Sequence, residues 1–119
     1  MARAGVLLAS AARTADVNTA TVDVDGEQGL IVYIDCTASA ATPSVVFTIQ
    51  GYNEANGEWY TILASAAVTG AGDTVLRVHP AMTASANAVA ADILPRQWRV
   101  NCNHSDTDSI TYSVGYLMN

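Results

Sequence analysis

The sequence predicts an all-β fold: a single antiparallel β-sandwich of immunoglobulin-like or jelly-roll type, with about seven strands and one short helical turn. Three observations carry this. Apolar and polar residues alternate with a period of two along runs rich in Val, Ile, Thr and Tyr. Turn signals containing Gly, Asn or Asp separate those runs. One stretch alone, Ala81 to Asp92, reads as helical.

The strongest local signal is the middle stretch, Ser44 to Ser65. Val45, Phe47 and Ile49 share one face of a strand, with Val46, Thr48 and Gln50 on the other. Asn56-Gly57 supplies a turn whose residues tolerate positive φ. Trp59 to Ala64 returns with a weaker alternation, Tyr60, Ile62 and Ala64 against Trp59, Thr61 and Leu63. The pair reads as a β-hairpin.

The other elements follow in order. Residues 5 to 12 are apolar and read as a first strand or an ordered arm. They follow Met1-Ala-Arg and contain Ala-Ser-Ala at positions 9 to 11, as a weak signal peptide would, but the apolar run is short. Arg13 to Gln28 is a polar loop with an edge-strand alternation at Thr21 to Val24. Gly29 to Thr37 alternates cleanly: Leu30, Val32, Ile34 and Cys36 against Ile31, Tyr33 and Asp35. Pro43 opens the hairpin's first strand, since proline cannot donate inside a ladder. Thr74 to Pro80 sets Leu76 and Val78 against Val75, Arg77 and His79. Ala81 to Asp92 is short and Ala-rich, with Thr83 or Ser85 as candidate caps and Pro95 beyond its end. Arg96 to Asn103 places Trp98, Val100 and Cys102 on one face. Ser109 to Met118 closes the chain with Ile110, Tyr112, Val114 and Tyr116. The division expected is a strand or arm and polar loop over 1–28 and a sandwich core over 29–119, one domain overall.

Composition bounds function. A chain of 119 residues suits one domain and can bury a core without staples. A formal net charge of −6, with five cationic residues that are all Arg, argues against nucleic-acid binding. No stretch is long enough for a membrane-spanning helix. Charged residues make up only 13%, well below the usual quarter, as suits a surface largely covered by something else.

No catalytic constellation stands out. No Ser or Cys sits in a recognisable nucleophile motif, and no carboxylate pair or glycine-rich phosphate loop is evident. An enzyme is not expected, and neither is a cofactor. Cys36 and Cys102 lie on inward faces. They read as an inter-sheet disulfide or as two buried free thiols, and a reducing cytoplasm favours the thiols. His79 and His104 lack companions at ligand spacing, so no metal site is expected. Asp106 and Asp108, with Asp73, could recruit calcium but read better as solvated turns. The interface candidates are Tyr52, Trp59, Tyr60, Arg77, Arg96 and Arg99: aromatics around the hairpin tip, and arginines on strands otherwise poor in charge. The aromatics could equally form a sugar-binding platform or simply pack.

Two phrases carry a family resemblance: ATPSVVFTIQGYNEANGEWYTILASAAVTGAGDTVLRVHP (Ala41 to Pro80) and ILPRQWRVNCNHSDTDSITYSVGY (Ile93 to Tyr116). They resemble small virion proteins encoded in the structural-gene clusters of tailed bacteriophages. The resemblance implies a non-enzymatic head decoration (cement) protein on the capsid exterior, assembled in the bacterial host cytoplasm. It would bind the major capsid protein and copies of itself as a homo-oligomer; such proteins often form trimers at local threefold positions. A tail, neck or tail-tip protein and a carbohydrate-binding module for host attachment are the other classes carried. The resemblance assigns no contact residues.

Overall fold

The structure is a computed structural model that describes residues 2–119; Met1, the start of the expected N-terminal segment, lies outside them. Ten strands follow one another: β1 (Arg3–Arg13), β2 (Val17–Asn18), β3 (Val22–Asp23), β4 (Leu30–Ser39), β5 (Val45–Asn53), β6 (Glu58–Ala64), β7 (Gly72–Val78), β8 (Val89–Ala90), β9 (Gln97–His104) and β10 (Ile110–Met118). They build two sheets. The first has the order β1-β10-β4-β7-β8; the second has the order β2-β9-β5-β6, with β3 also on β9. All pairings are antiparallel except β7 with β8. The expected β-sandwich is borne out.

The connectivity distinguishes the two sandwich types. β2 and β3 both pair with β9 and act as one broken strand, bridged by Thr19, whose hydroxyl accepts the Val100 N–H at 2.9 Å. Setting aside the two-residue β8, eight strands remain. They pair in nested fashion: β1 with β10, β2/β3 with β9, β4 with β7, and β5 with β6. The chain is thus one long antiparallel ribbon folded at the β5–β6 turn. The ribbon then rolls up, so that β10 also meets β4 and β9 also meets β5. This is the jelly-roll arrangement. In an immunoglobulin sandwich the last two strands are neighbours in one sheet; here β9 and β10 lie in different sheets.

The core forms where the predicted inward faces meet. Phe47, Val100, Trp98, Tyr112, Val114 and Leu76 are fully buried, alongside the alternating residues of β4. Phe47 of the second sheet meets Tyr112 of the first edge to face, at 4.9 Å between ring centroids. Trp98 meets Tyr116 similarly at 5.4 Å and donates its Nε1–H to Met118 Sδ at 3.2 Å. These contacts hold the two sheets together through aromatic area.

Two expectations need correction. First, residues 81–92 contain no helix. Asn87 sits in the left-handed region at φ 61 and donates its side-chain N–H to Ala64 O, while Ser85 and Val89 exchange backbone hydrogen bonds. The segment makes tight turns and then adds β8 beside β7. A short Ala-rich helix has little stability of its own, and these anchors outweigh it. Second, the simple alternation read in β6 is broken. The register shifts between Ile49/Leu63 and Gln50/Thr61, which leaves Ile62 as the extra residue. Leu63 therefore faces inward beside Ile49, while Thr61 and Trp59 face outward.

The same register puts Tyr60 opposite Gly51. A Cβ at Gly51 would lie 2.6 Å from Tyr60 Cζ and 2.9 Å from Pro95 Cγ. Glycine here lets the Tyr60 ring lie across the strand. Gly51→Ala is expected to destabilise by about 1–3 kcal/mol through overpacking, read by urea denaturation. Adding Tyr60→Ala should recover part of the loss, and a double variant no better than Gly51→Ala would refute the steric reading.

Candidate functional site

The outer face of the second sheet gathers three of the six interface candidates. Tyr52 and Trp59 are directly opposed across β5 and β6, with ring centroids 5.1 Å apart. Arg99 reaches across from β9, its guanidinium 4.2 Å from the Trp59 ring centroid. Gln50 fixes that arginine by accepting its Nε–H at 2.9 Å. Gln50 and Arg99 are cross-strand partners, so the β5–β9 register presets the stack. One face of Trp59 is therefore covered by a cation, which half-occupies the flat platform a sugar would need. An exposed cation–π contact contributes only about 0.5–1 kcal/mol. The cluster's stability contribution is small, and its aromatic and guanidinium surface suits contact with another protein.

The other three candidates lie elsewhere. Arg96 is near the same hairpin end, paired with Glu54 at 3.3 Å, with 81% of its side chain exposed. Such a pair contributes little to folding. Tyr60 points to the opposite side of β6 from Trp59, against Gly51 and Pro95. Burial and the nearby Asp92 raise its phenol above the usual range.

Arg77 belongs to the outer face of the first sheet, which sequence reasoning did not propose as a site. Register aligns three rows across the strands there. Arg77, Ile31, Leu117 and Ala4 form one row. Val75, Tyr33, Gly115 and Val6 form the next. Asp73, Asp35 and Ser113 form the third. Val6 is 71% exposed and Tyr33 42%. An open groove of about 540 Å³ lies at the Arg77 end, lined also by His79 and Met82. Asp35 and Asp73 are directly opposed like charges. A hydrogen bond to Asp73, burial and the Asp73 charge all raise the Asp35 carboxyl above its ordinary value. The signal for this face was already in the Gly29 to Thr37 alternation, which puts Ile31, Tyr33 and Asp35 together. What the sequence could not show was which residues of β1, β7 and β10 stand beside them.

The buried polar groups are not poised for nucleophilic chemistry. Cys36 and Cys102 are both free and buried. Burial pushes the Cys102 thiol up to about 11, against a hydrogen bond from Tyr112 that favours the thiolate. A protonated, enclosed thiol is a poor nucleophile. Burial also raises the Tyr112 phenol and lowers His104. His104 Nε2 lies 3.0 Å from the Tyr112 hydroxyl, and Arg13 covers the Tyr112 ring at 4.7 Å. Asp73 stands opposite Asp35 in the strand register, whereas Asp106 accepts the Asp108 N–H and Asp108 holds Thr42. Among the described residues no group of three or more His, Cys, Asp or Glu could hold a metal ion.

No family model matches this chain, and no curated protein matches it. Among solved structures, one of infectious bursal disease virus, Gx strain, overlays it with a TM-score of 0.56. The overlay covers 99% of this chain and 32% of the viral chain, at 10% identity. That likeness is one of fold.

Proposed function

We propose that this chain is a non-enzymatic structural protein of a virus particle, acting as a capsid decoration protein that binds the major capsid lattice and reinforces it. The observation that carries this reading is the complete jelly roll, which overlays a solved structure of a virus over 99% of the chain. Jelly rolls occur in viral capsid and lectin domains alike, so the fold alone does not choose a function. The resemblance of Ala41 to Pro80 and Ile93 to Tyr116 to tailed-phage virion proteins favours the particle. So does a surface with few charges. The contact assigned to the capsid is the Tyr52–Trp59–Arg99 cluster with Arg96, because aromatic and arginine side chains dominate binding energy at protein interfaces.

The test is to add the purified chain to capsids lacking it, then image the particles and measure their thermal disruption. Regular occupancy of lattice positions on the exterior and a raised disruption temperature are expected. Trp59→Ala and Arg99→Ala should each weaken binding by about tenfold or more, as interface anchors do, with folding intact. Placement in six-fold or twelve-fold rings would replace decoration by a tail or neck role. Loss of glycan binding in Trp59→Ala, without any capsid binding, would point to host attachment instead.

A further inference from the structure

We propose that the outer face of the first sheet is a two-fold interface with a second copy of this chain. Along β7 the outward residues are Asp73, Val75 and Arg77; on the adjoining β4, Asp35 stands opposite Asp73 and Tyr33 opposite Val75. Charge along the strand thus runs from negative, through apolar, to positive. Val6 extends the apolar row to β1 through Gly115.

Such a face is complementary to itself. Consider a two-fold axis lying between two stacked sheets, crossing the strands at the Tyr33–Val75 row. It leaves each strand over its own copy and reverses the rows. Arg77 of one copy then faces Asp73 and Asp35 of the other, and this happens twice. The apolar rows meet at the axis, covering Val6 and Tyr33, two of the large apolar side chains that the single chain leaves exposed. Arg77 lies about 13 Å from Asp73 along the strand, from a rise of about 3.3 Å per residue. Sheets stack about 10 Å apart, a gap that an arginine and an aspartate span together.

Two local facts fit this occupant. Among the described residues Arg77 makes no ion pair, whereas Arg3 and Arg96 do. Asp35 and Asp73 stand directly opposed as like charges in the single chain; a cation facing both offsets their repulsion. A surface contacting itself through a two-fold is self-complementary, and on β7 Arg77 and Asp73 stand two residues either side of Val75. A partner of another kind imposes no such symmetry. The assignment goes beyond the capsid role proposed above. Its test is made in solution without capsids, so it can fail while capsid binding stands, or the reverse.

The experiment is sedimentation equilibrium of the purified chain over a wide range of concentration, at low and high sodium chloride. A monomer–dimer equilibrium is expected, weakened by salt because exposed ion pairs are screened. Arg77→Glu alone and Asp73→Arg alone should each raise the dimer dissociation constant by about tenfold or more, since like charges are then juxtaposed. The double variant Arg77→Glu/Asp73→Arg should dimerise better than either single variant. Its recovery also shows that the single variants had not simply misfolded. A monomer at every concentration, a trimer or larger ring, or a dimer indifferent to both single substitutions would each overturn the proposal.

Discussion

Trp98→Ala is expected to destabilise the fold by about 3–5 kcal/mol, the usual cost of deleting a fully buried large aromatic. That is a large share of the roughly 5–15 kcal/mol available to a domain. Trp98 is 0% exposed and central to β9, paired with Gly51 on one side and Val22 on the other. Its ring belongs to the second sheet, while its contacts Tyr116 and Met118 belong to β10 of the first. The cavity would open between the sheets, where neither can close it without shifting the other. Trp98→Phe keeps most of the area but loses the N–H donor to sulfur, and should cost less. Urea denaturation measures both, with Trp59→Ala as the internal control. Trp59 lies on the outer face, so its loss should stay within about 1 kcal/mol. If Trp98→Ala cost no more than Trp59→Ala, the inter-sheet role assigned to Trp98 would be wrong.

Both tryptophans show what alternation can reveal. Trp98 shares its face with Val100 and Cys102 in an unbroken period of two, and all three are buried. β4, β5 and β10 were legible in the same way. β6 was not, because a bulge is an extra residue with no composition of its own, and Ile62 looks like any strand isoleucine. Residues 81–92 misled because helix propensity is local, while the anchors that override it, Asn87 to Ala64 and β8 to β7, come from elsewhere in the chain. The choice between jelly roll and immunoglobulin sandwich depends on which strands become neighbours, and identical strands serve both.

The candidate surfaces divide along the same line. The residue types at the hairpin tip were legible, and Tyr52 and Trp59 face one another as hairpin geometry requires. That Arg99 would cap Trp59 depended on the β5–β9 register, forty positions away in sequence. Tyr60 joins Trp59 among the candidates at the hairpin, but the strand alternation already sends the two to opposite faces. The self-complementary face is less legible still. Its rows draw on β1, β4, β7 and β10, and its polarity exists only once Asp73 and Arg77 lie beside Asp35 and Ile31.

Acid should weaken this protein through Glu27, and removing that carboxylate should flatten the response. Glu27 is nearly enclosed, its side chain 1% exposed, although it sits in a polar loop. Arg3 binds it from the edge strand β1 through Nε and a second guanidinium nitrogen, and Arg3 also donates to the Asp23 carbonyl. The Asp25 N–H donates to the same carboxylate at 2.7 Å. The Arg3 hydrogen bonds, then the Asp25 N–H, hold the carboxyl down at about 2, from an ordinary 4.5. The folded state thus binds fewer protons than the unfolded state between these values. Stability from this group is complete above about pH 4.5 and is lost progressively as pH falls toward 2. Asp35 works in the opposite sense. Its value is raised, so its protonation favours the folded state as pH falls through the carboxylate range. Glu27→Gln should therefore lower stability at neutral pH and remove the Glu27 share of the acid slope, leaving the Asp35 share visible. Arg3→Ala should do more harm at pH 7 than Glu27→Gln, because it leaves an enclosed carboxylate without its counter-ion. Urea midpoints measured from pH 2 to pH 7 separate these cases. An unchanged acid slope in Glu27→Gln would mean that the clamp between β1 and the 23–27 loop does not govern acid stability. An altered slope would tie the first strand's hold on the sandwich to one half-buried ion pair.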